Sequence, residues 1–242
     1  MKNKAKKILL SLITLTAVCI AVLYLYSIDY YHADEKALSA TESTAQISVE
    51  ITDNMAIFRP ENAEAGFIFY PGGKVEYTAY APLMHKLAEN NIACIITKMP
   101  FNLAVLDTDA ADKAYERIAN IDNWYIGGHS LGGSMAAAFL DKTDIDFDGL
   151  VLLASYSTAD LTDNDIEVLS LYGSNDGVLN MESYSENFSN LPENTTELVI
   201  DGGNHAQFGS YGKQDGDGDA EITAEEQLEI TAEAIVNFIK QQ

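Results

Sequence analysis

The stretch Trp124–Gly133, WYIGGHSLGG, decides how the whole chain is read. A short apolar strand, Trp124–Gly127, runs into Gly128-His129-Ser130-Leu131-Gly132, and an alanine-rich helical segment follows over Leu131–Asp141. This G-x-S-x-G is the only one in the sequence. Between a strand and a helix, the turn is sharp enough to strain the serine. Glycines at 128 and 132 let neighbouring chain segments pass without meeting a Cβ. The Ser130 hydroxyl then stands at a strand's carboxyl end and a helix's N-terminus, where partial positive charge favours developing negative charge. A glycine-rich turn with an incidental serine is the plainer reading; the strand–turn–helix context favours a nucleophile.

Outward from this turn, strands and helices alternate. Gln46–Thr52 and Met55–Phe58 read as a hairpin around Asp53-Asn54, and Gly66–Tyr70 (GFIFY) as a buried strand before Pro71-Gly72-Gly73. Tyr77–Asn90 has helical spacing, with Tyr80, Leu83, Met84 and Leu87 on one face. Ile92–Lys98, Leu150–Ala154, Glu167–Tyr172 and Glu197–Ile200 read as strands; Asp109–Asn120, Met181–Phe188 and Ala224–Lys240 read as helices. Strands apolar on both faces, alternating with helices, predict an α/β fold with a mostly parallel, twisted sheet covered on both sides.

A serine hydroxyl is a weak nucleophile until a base takes its proton. The order Ser…Asp/Glu…His, with acid and base each on a loop after a later strand, is met here. Glu167–Tyr172 leads into Gly173-Ser174-Asn175-Asp176, and Glu197–Ile200 into Asp201-Gly202-Gly203-Asn204-His205. Of four histidines, His32 precedes the strands, His85 lies on a helix, and His129 sits in the turn with its ring expected to point away from the serine's pocket. That leaves His205 as base. Asp176 competes with Asp160, Asp163 and Asp201, but it alone sits one short turn past a buried strand. Its role would be to hold the His205 tautomer and stabilise the imidazolium. An oxyanion hole needs backbone N–H groups. Leu131 would supply one and Gly73, in preference to Gly72, the other.

FIFYPGG, GGHSLGG, LYGSNDGV and GGNHAQF, in this order and spacing, resemble the α/β-hydrolase superfamily over about residues 45–242. The closest look is to compact bacterial members of the dienelactone-hydrolase-like branch, membrane-tethered ones in particular. Dienelactone hydrolases use a cysteine nucleophile; Ser130 departs from that, so their substrate is not carried over. The resemblance implies a Ser130–Asp176–His205 triad acting through an acyl-enzyme, with no cofactor. Pro71-Gly72 replaces the usual His-Gly of the oxyanion loop.

Between the strands ending at Ala154 and beginning near Glu167 lie only about a dozen residues, SYSTADLTDNDI, which leaves no room for a large cap domain. The site should be open, with Tyr77, Tyr80, Phe101, Asn102 and Phe208 as lining candidates. An open pocket suits a carboxylic ester, a thioester or an exposed acyl group. Asp215–Glu226 has the acidic spacing of a calcium loop, with Asp215, Asp217, Asp219 and Glu226 as ligands. Ala220 stands where that loop needs glycine, however, and an acidic turn feeding a Thr223…Glu226 capping box is the favoured reading.

Charge and hydropathy place the chain. The sequence has 242 residues, 14 basic against 37 acidic, with 47% hydrophobic residues. This excludes a disordered acidic protein and makes nucleic-acid binding unfavourable. Two cysteines, Cys19 and Cys94, exclude a disulfide framework, and Cys94 reads as a buried thiol. Lys2, Lys4, Lys6 and Lys7 precede an uncharged run, Ile8–Ile28, long enough as a helix to cross roughly 30 Å of hydrocarbon. Tyr24 and Tyr26 fit an interfacial belt. The residues before Cys19 match a lipobox poorly, and the run is longer than the apolar core of a cleavable signal peptide. The expected organisation is a cytoplasmic basic N-terminus over 1–7, a membrane anchor over 8–28, a stalk over 29–44 and an extracytoplasmic hydrolase domain over 45–242, a cleaved and secreted form being the lesser possibility. Past the lysines the balance is 10 basic against 37 acidic, a charge of −27. The expected function is a membrane-tethered serine hydrolase acting on a small-molecule or acylated substrate. The alternatives are an idle envelope-binding protein on the same fold and an acyltransferase.

Overall fold

In this computed structural model, residues 2–241 are described, without the side chains of Lys2, Asn3, Ala5 and Cys19. The lipobox question rests on the Cys19 side chain, which lies outside what is described. The chain divides into two units, Met1–Tyr30 and Tyr31–Gln242. The first is helix α1 (Lys2–Ile28), whose segment Lys6–Ile28 has mean hydropathy 2.6 and is long and apolar enough to cross a membrane.

The second unit runs α2 (Glu35–Ser39), β1 (Ile47–Ile51), β2 (Met55–Pro60), β3 (Ala65–Tyr70), α3 (Ala81–Glu89), β4 (Ile92–Thr97), α4 (Ala110–Tyr115), β5 (Trp124–His129), α5 (Leu131–Leu140), β6 (Gly149–Leu153), β7 (Glu167–Gly173), α6 (Met181–Asn187), β8 (Thr196–Ile200) and α7 (Ala224–Lys240). The strands form one eight-stranded sheet, ordered β1-β2-β4-β3-β5-β6-β7-β8. Only β2 runs against its neighbours; every pairing from β4 to β8 is parallel. The carboxyl ends of β3 to β8 therefore share one edge, and the loops leaving them can converge.

Period-two geometry explains why these strands are apolar throughout. Phe67 and Phe69 enter one core with Leu83, Met84 and Leu87 of α3 and Leu228, Ile235 and Ile239 of α7. Ile68 and Tyr70 enter the other with Ala111 and Ala114 of α4 and Ala136, Ala137 and Phe139 of α5. Both faces are covered, so neither can be polar. Cys94 is fully buried in the first core, and burial pushes its thiol well above the usual range, which keeps it unreactive.

Three sequence expectations are corrected. The helix over 77–90 opens as a 3₁₀ turn, Tyr77–Tyr80, before α3. Pro82 cannot bond back into a preceding α-turn, so it takes a place in the first turn of α3 instead. The helix over 109–120 stops at Tyr115. Arg117 leaves the helix line to pair with Glu50 at 2.9 Å, and Asn120 turns the chain at φ 63°. The stalk over 29–44 joins the folded unit from Tyr31 onward. Tyr31 bridges to Val75, Asp34 caps α2, and Ala37 is fully buried. The link between β6 and β7 contains no helix or strand, so no cap domain is inserted there.

Candidate active site

Ser130 sits between β5 and α5 at φ 52° and ψ −124°, a backbone region disfavoured for any side chain. Its surroundings enforce this. A Cβ on Gly132 would lie 2.2 Å from the Tyr70 carbonyl oxygen and 2.4 Å from that of Pro71, so only glycine fits. The Ser130 N–H donates to Leu153 O at 2.9 Å, and the Ser155 hydroxyl donates to Ser130 O at 2.7 Å. Ser134 ties Ser155 to the Tyr156 carbonyl. The turn is thus gripped on both sides by β6 and its loop, and the half-buried serine faces the carboxyl edge of the sheet.

Asp176 and His205 arrive from the loops after β7 and β8. Asp176 Oδ2 lies 2.9 Å from His205 Nδ1, and both side chains are 1% exposed. The other carboxylate oxygen, Oδ1, accepts the N–H groups of Val178 and Leu179 at 2.8 and 2.7 Å. A carboxylate held this way fixes the histidine with its proton on Nδ1. Among the described residues His205 Nε2 is buried with no hydrogen-bond partner, the Ser130 hydroxyl included. Asp160, Asp163 and Asp201 are all exposed, and Asp160 spends its carboxylate on Thr162.

The loop after β3 supplies backbone donors. The Gly72 N–H is taken by the Tyr80 hydroxyl at 3.0 Å and the Lys74 N–H by Asn102 O at 2.8 Å. Between them the Gly73 N–H has no partner among the described residues. A Cβ on Gly73 would lie 3.2 Å from the Leu131 side chain, so this loop runs beside the first turn of α5. The Leu131 N–H is one of the donors a helix start leaves unbonded.

Several residues that hold the site were not legible as such. His129 packs against the base rather than away from it: its ring centre is 4.4 Å from that of His205 and 5.7 Å from that of Phe208. Its Nδ1 is 2.8 Å from the Tyr80 hydroxyl. Burial, and then the proximity of His205, hold His129 well below the ordinary histidine range, so it stays neutral. Asp217 is the second such residue. Its Oδ1 accepts the N–H groups of Gly177, Gly218 and His205, and its Oδ2 accepts that of Ala206. One carboxylate thus pins the Asp176 loop to the His205 loop. Fully buried Gln227, on α7, accepts the Asn204 N–H and donates to the Asn204 carbonyl, fixing the residue before the base. A glutamine in line with Thr231 and Ile235 on an otherwise apolar helix face was the available signal.

The remaining sequence candidates fall out as follows. Tyr77 and Phe208 are buried at 8% and 2% exposure, whereas Phe101 is 63% exposed. Of the acidic segment, Asp217 is committed to backbone amides, Glu226 closes a capping box with Thr223, and Asp219 pairs with Lys213. Among the described residues no three His, Cys, Asp or Glu are grouped to hold a metal ion.

Comparison with known proteins agrees with this fold. A hydrolase from Thermoplasma acidophilum described as CIB-like superposes with a TM-score of 0.56 at 14% identity, covering 79% of this chain and 98% of its own. Est1E from Butyrivibrio proteoclasticus gives 0.57 at 15% identity, covering 81% and 98%. The carboxylesterase CesB (YbfK) from Bacillus subtilis gives 0.52 at 12%, covering 76% and 91%. No curated protein matches the chain. The model of the alpha/beta hydrolase family matches residues 66–229, which spans the elbow, Asp176 and His205. The chain belongs to the alpha/beta hydrolase family.

Proposed function

We propose that this protein is a serine hydrolase that cleaves a carboxylic ester, thioester or related acyl bond through an acyl-enzyme on Ser130. The observation that carries the reading is the buried Asp176–His205 pair, with Nε2 unpartnered, on the same sheet edge as the strained Ser130. Ser130 Oγ attacks the acyl carbon while His205 Nε2 takes the hydroxyl proton. The bond between them tightens when substrate fills the site, as unliganded sites often leave it unmade. Asp176 keeps the proton on Nδ1 and stabilises the imidazolium without accepting the proton itself. The Leu131 and Gly73 N–H groups receive the developing oxyanion. His205 then returns its proton to the departing alkoxide or thiolate. Water, deprotonated by the same histidine, attacks the acyl-enzyme, and His205 passes that proton to the departing Ser130 Oγ as the acid is released. A solved carboxylesterase of the same fold supports ester-type bonds over other chemistries of the family.

Tethering belongs to the same proposal. Four lysines before the apolar run of the helix keep that end cytoplasmic and place the rest of the chain, at −27, outside, where anionic headgroups repel it and the helix holds it near the bilayer. A chain recovered from membranes at its full 26.4 kDa supports an uncleaved anchor, and one shortened by the apolar run marks a signal sequence.

The test of activity is hydrolysis of p-nitrophenyl butanoate by the full chain, with Ser130→Ala as control. Turnover lost in the variant supports the reading; equal turnover in both, or none in folded wild type against an ester panel, rejects it. Added alcohols that become acylated, in place of free acid, would make the enzyme a transferase.

A further inference from the structure

Four residues other than asparagine and glycine adopt positive φ among the described residues: Lys74, Phe101, Ser130 and Ala154. They follow the carboxyl ends of β3, β4, β5 and β6, which are adjacent in the sheet. Such strain collects where a fold commits backbone to function. Ser130 is the nucleophile, and Lys74 follows the free Gly73 N–H. Phe101, named above only as a lining candidate, takes no part in the catalytic steps.

Phe101 lies in the segment between β4 and α4, at φ 53°, with Asn102 beside it at 55°. The segment is firmly held. Asn102 O accepts the Lys74 N–H, and the Tyr70 hydroxyl donates to Thr108 O at 2.6 Å and accepts the Ala111 N–H at 2.8 Å. Its turn Ala104–Leu106 packs on α5, and Leu103 reaches the edge of Gly73. Between these anchors it turns large apolar side chains to solvent: Phe101 is 63% exposed, Val105 54% and Leu106 54%. Exposed apolar side chains on a pinned loop, contiguous with the Gly73 loop and packed on α5, have the character of a binding surface.

The direction of the reaction identifies what binds there. The leaving group must reach His205 Nε2 to be protonated, so it lies toward β7 and β8. With the oxyanion on Gly73 and Leu131, the acyl substituent is left to extend the opposite way, toward the loop after β4. We infer that Phe101, Val105 and Leu106 form a shelf for the acyl chain, and that the substrates are esters or thioesters of medium to long aliphatic acids. This rests on the hydrolase reading above. The absence of a cap domain explains why the shelf remains open to solvent.

The experiment compares p-nitrophenyl butanoate and octanoate, using the full chain in lipid nanodiscs so that partitioning cancels between variants. Phe101→Asn is chosen because asparagine tolerates positive φ, and Leu106→Ser removes a second contact. The wild type should prefer octanoate, and each variant should lower the octanoate-to-butanoate ratio of kcat/KM by about three- to tenfold while butanoate turnover holds within twofold. An unchanged ratio in both variants overturns the shelf. If the variants instead weaken binding of the enzyme to lipid with the ratio intact, the loop is a membrane contact and the shelf is rejected. Absence of all Ser130-dependent turnover in folded wild type would overturn the hydrolase reading itself, a result distinct from either.

Discussion

The two halves of the proposed triad are held in opposite ways. Ser130 is fixed by backbone: a positive φ, a glycine with no room for a Cβ against the Tyr70 and Pro71 carbonyls, and a carbonyl partner, Leu153 O, on the neighbouring strand. Asp176 and His205 are fixed by side chains reaching across the sheet edge, chiefly Asp217 and Gln227, which come from well downstream of the loops they hold. A nucleophile on a strained turn needs the rigidity that close backbone packing provides. An acid–base pair from two separate loops needs a third element to set their spacing.

Removing chemistry from the first half should have the largest effect. Ser130→Ala is expected to lower kcat by about 10⁶-fold, with the thermal midpoint nearly unchanged because alanine suffers the same backbone strain. Asp176→Asn leaves the buried contact in place but reverses the tautomer, and a fall of about 10⁴-fold in kcat is expected. Breaking the backbone grip comes next. Gly132→Ala drives a Cβ into two carbonyl oxygens and should cost at least about 3 kcal/mol in denaturant unfolding, or yield no folded protein. Asp217→Ala strips the acceptor from four backbone N–H groups; about 2–3 kcal/mol of stability should go, together with a drop in kcat larger than any change in KM. A loss of stability with kcat intact would show that the loops keep their spacing without it.

The smallest effect concerns His129. Its folded pKa is depressed, whereas in the unfolded chain it takes a proton below about pH 6.5. The unfolded state therefore binds more protons in that range, and stability is lost as pH falls below 6.5 at up to about 1.4 kcal/mol per pH unit. His129→Gln should flatten the decline in thermal midpoint between pH 7 and pH 5 relative to wild type. An equal slope in both proteins would contradict the neutral, buried assignment.

The same contrast explains what could be read from sequence. The elbow was legible because strand, glycines and helix are consecutive, and Asp176 and His205 because each follows an apolar strand by one short turn. The mostly parallel sheet, covered on both faces, follows from the alternation of elements, whereas its strand order does not. Asp217 was legible only as one aspartate in an acidic run, since its role depends on two loops meeting above it. His129 looked like a turn residue facing away, because nothing local announces Tyr80 beneath it or His205 against it. Phe101 was named among the lining candidates, but its exposure comes from a left-handed backbone that no periodicity encodes. Tyr77 and Phe208, chosen on the same grounds, are buried in the core.

The central claim is that Ser130 is a nucleophile activated by the His205–Asp176 pair. Reaction of the full chain with a fluorophosphonate, followed by peptide mass spectrometry, tests it directly. The account predicts a single adduct on the peptide carrying Ser130, absent in Ser130→Ala and formed at least about 100-fold more slowly in Asp176→Asn. A folded wild type that stays unlabelled, or a label that persists in Ser130→Ala, would contradict it.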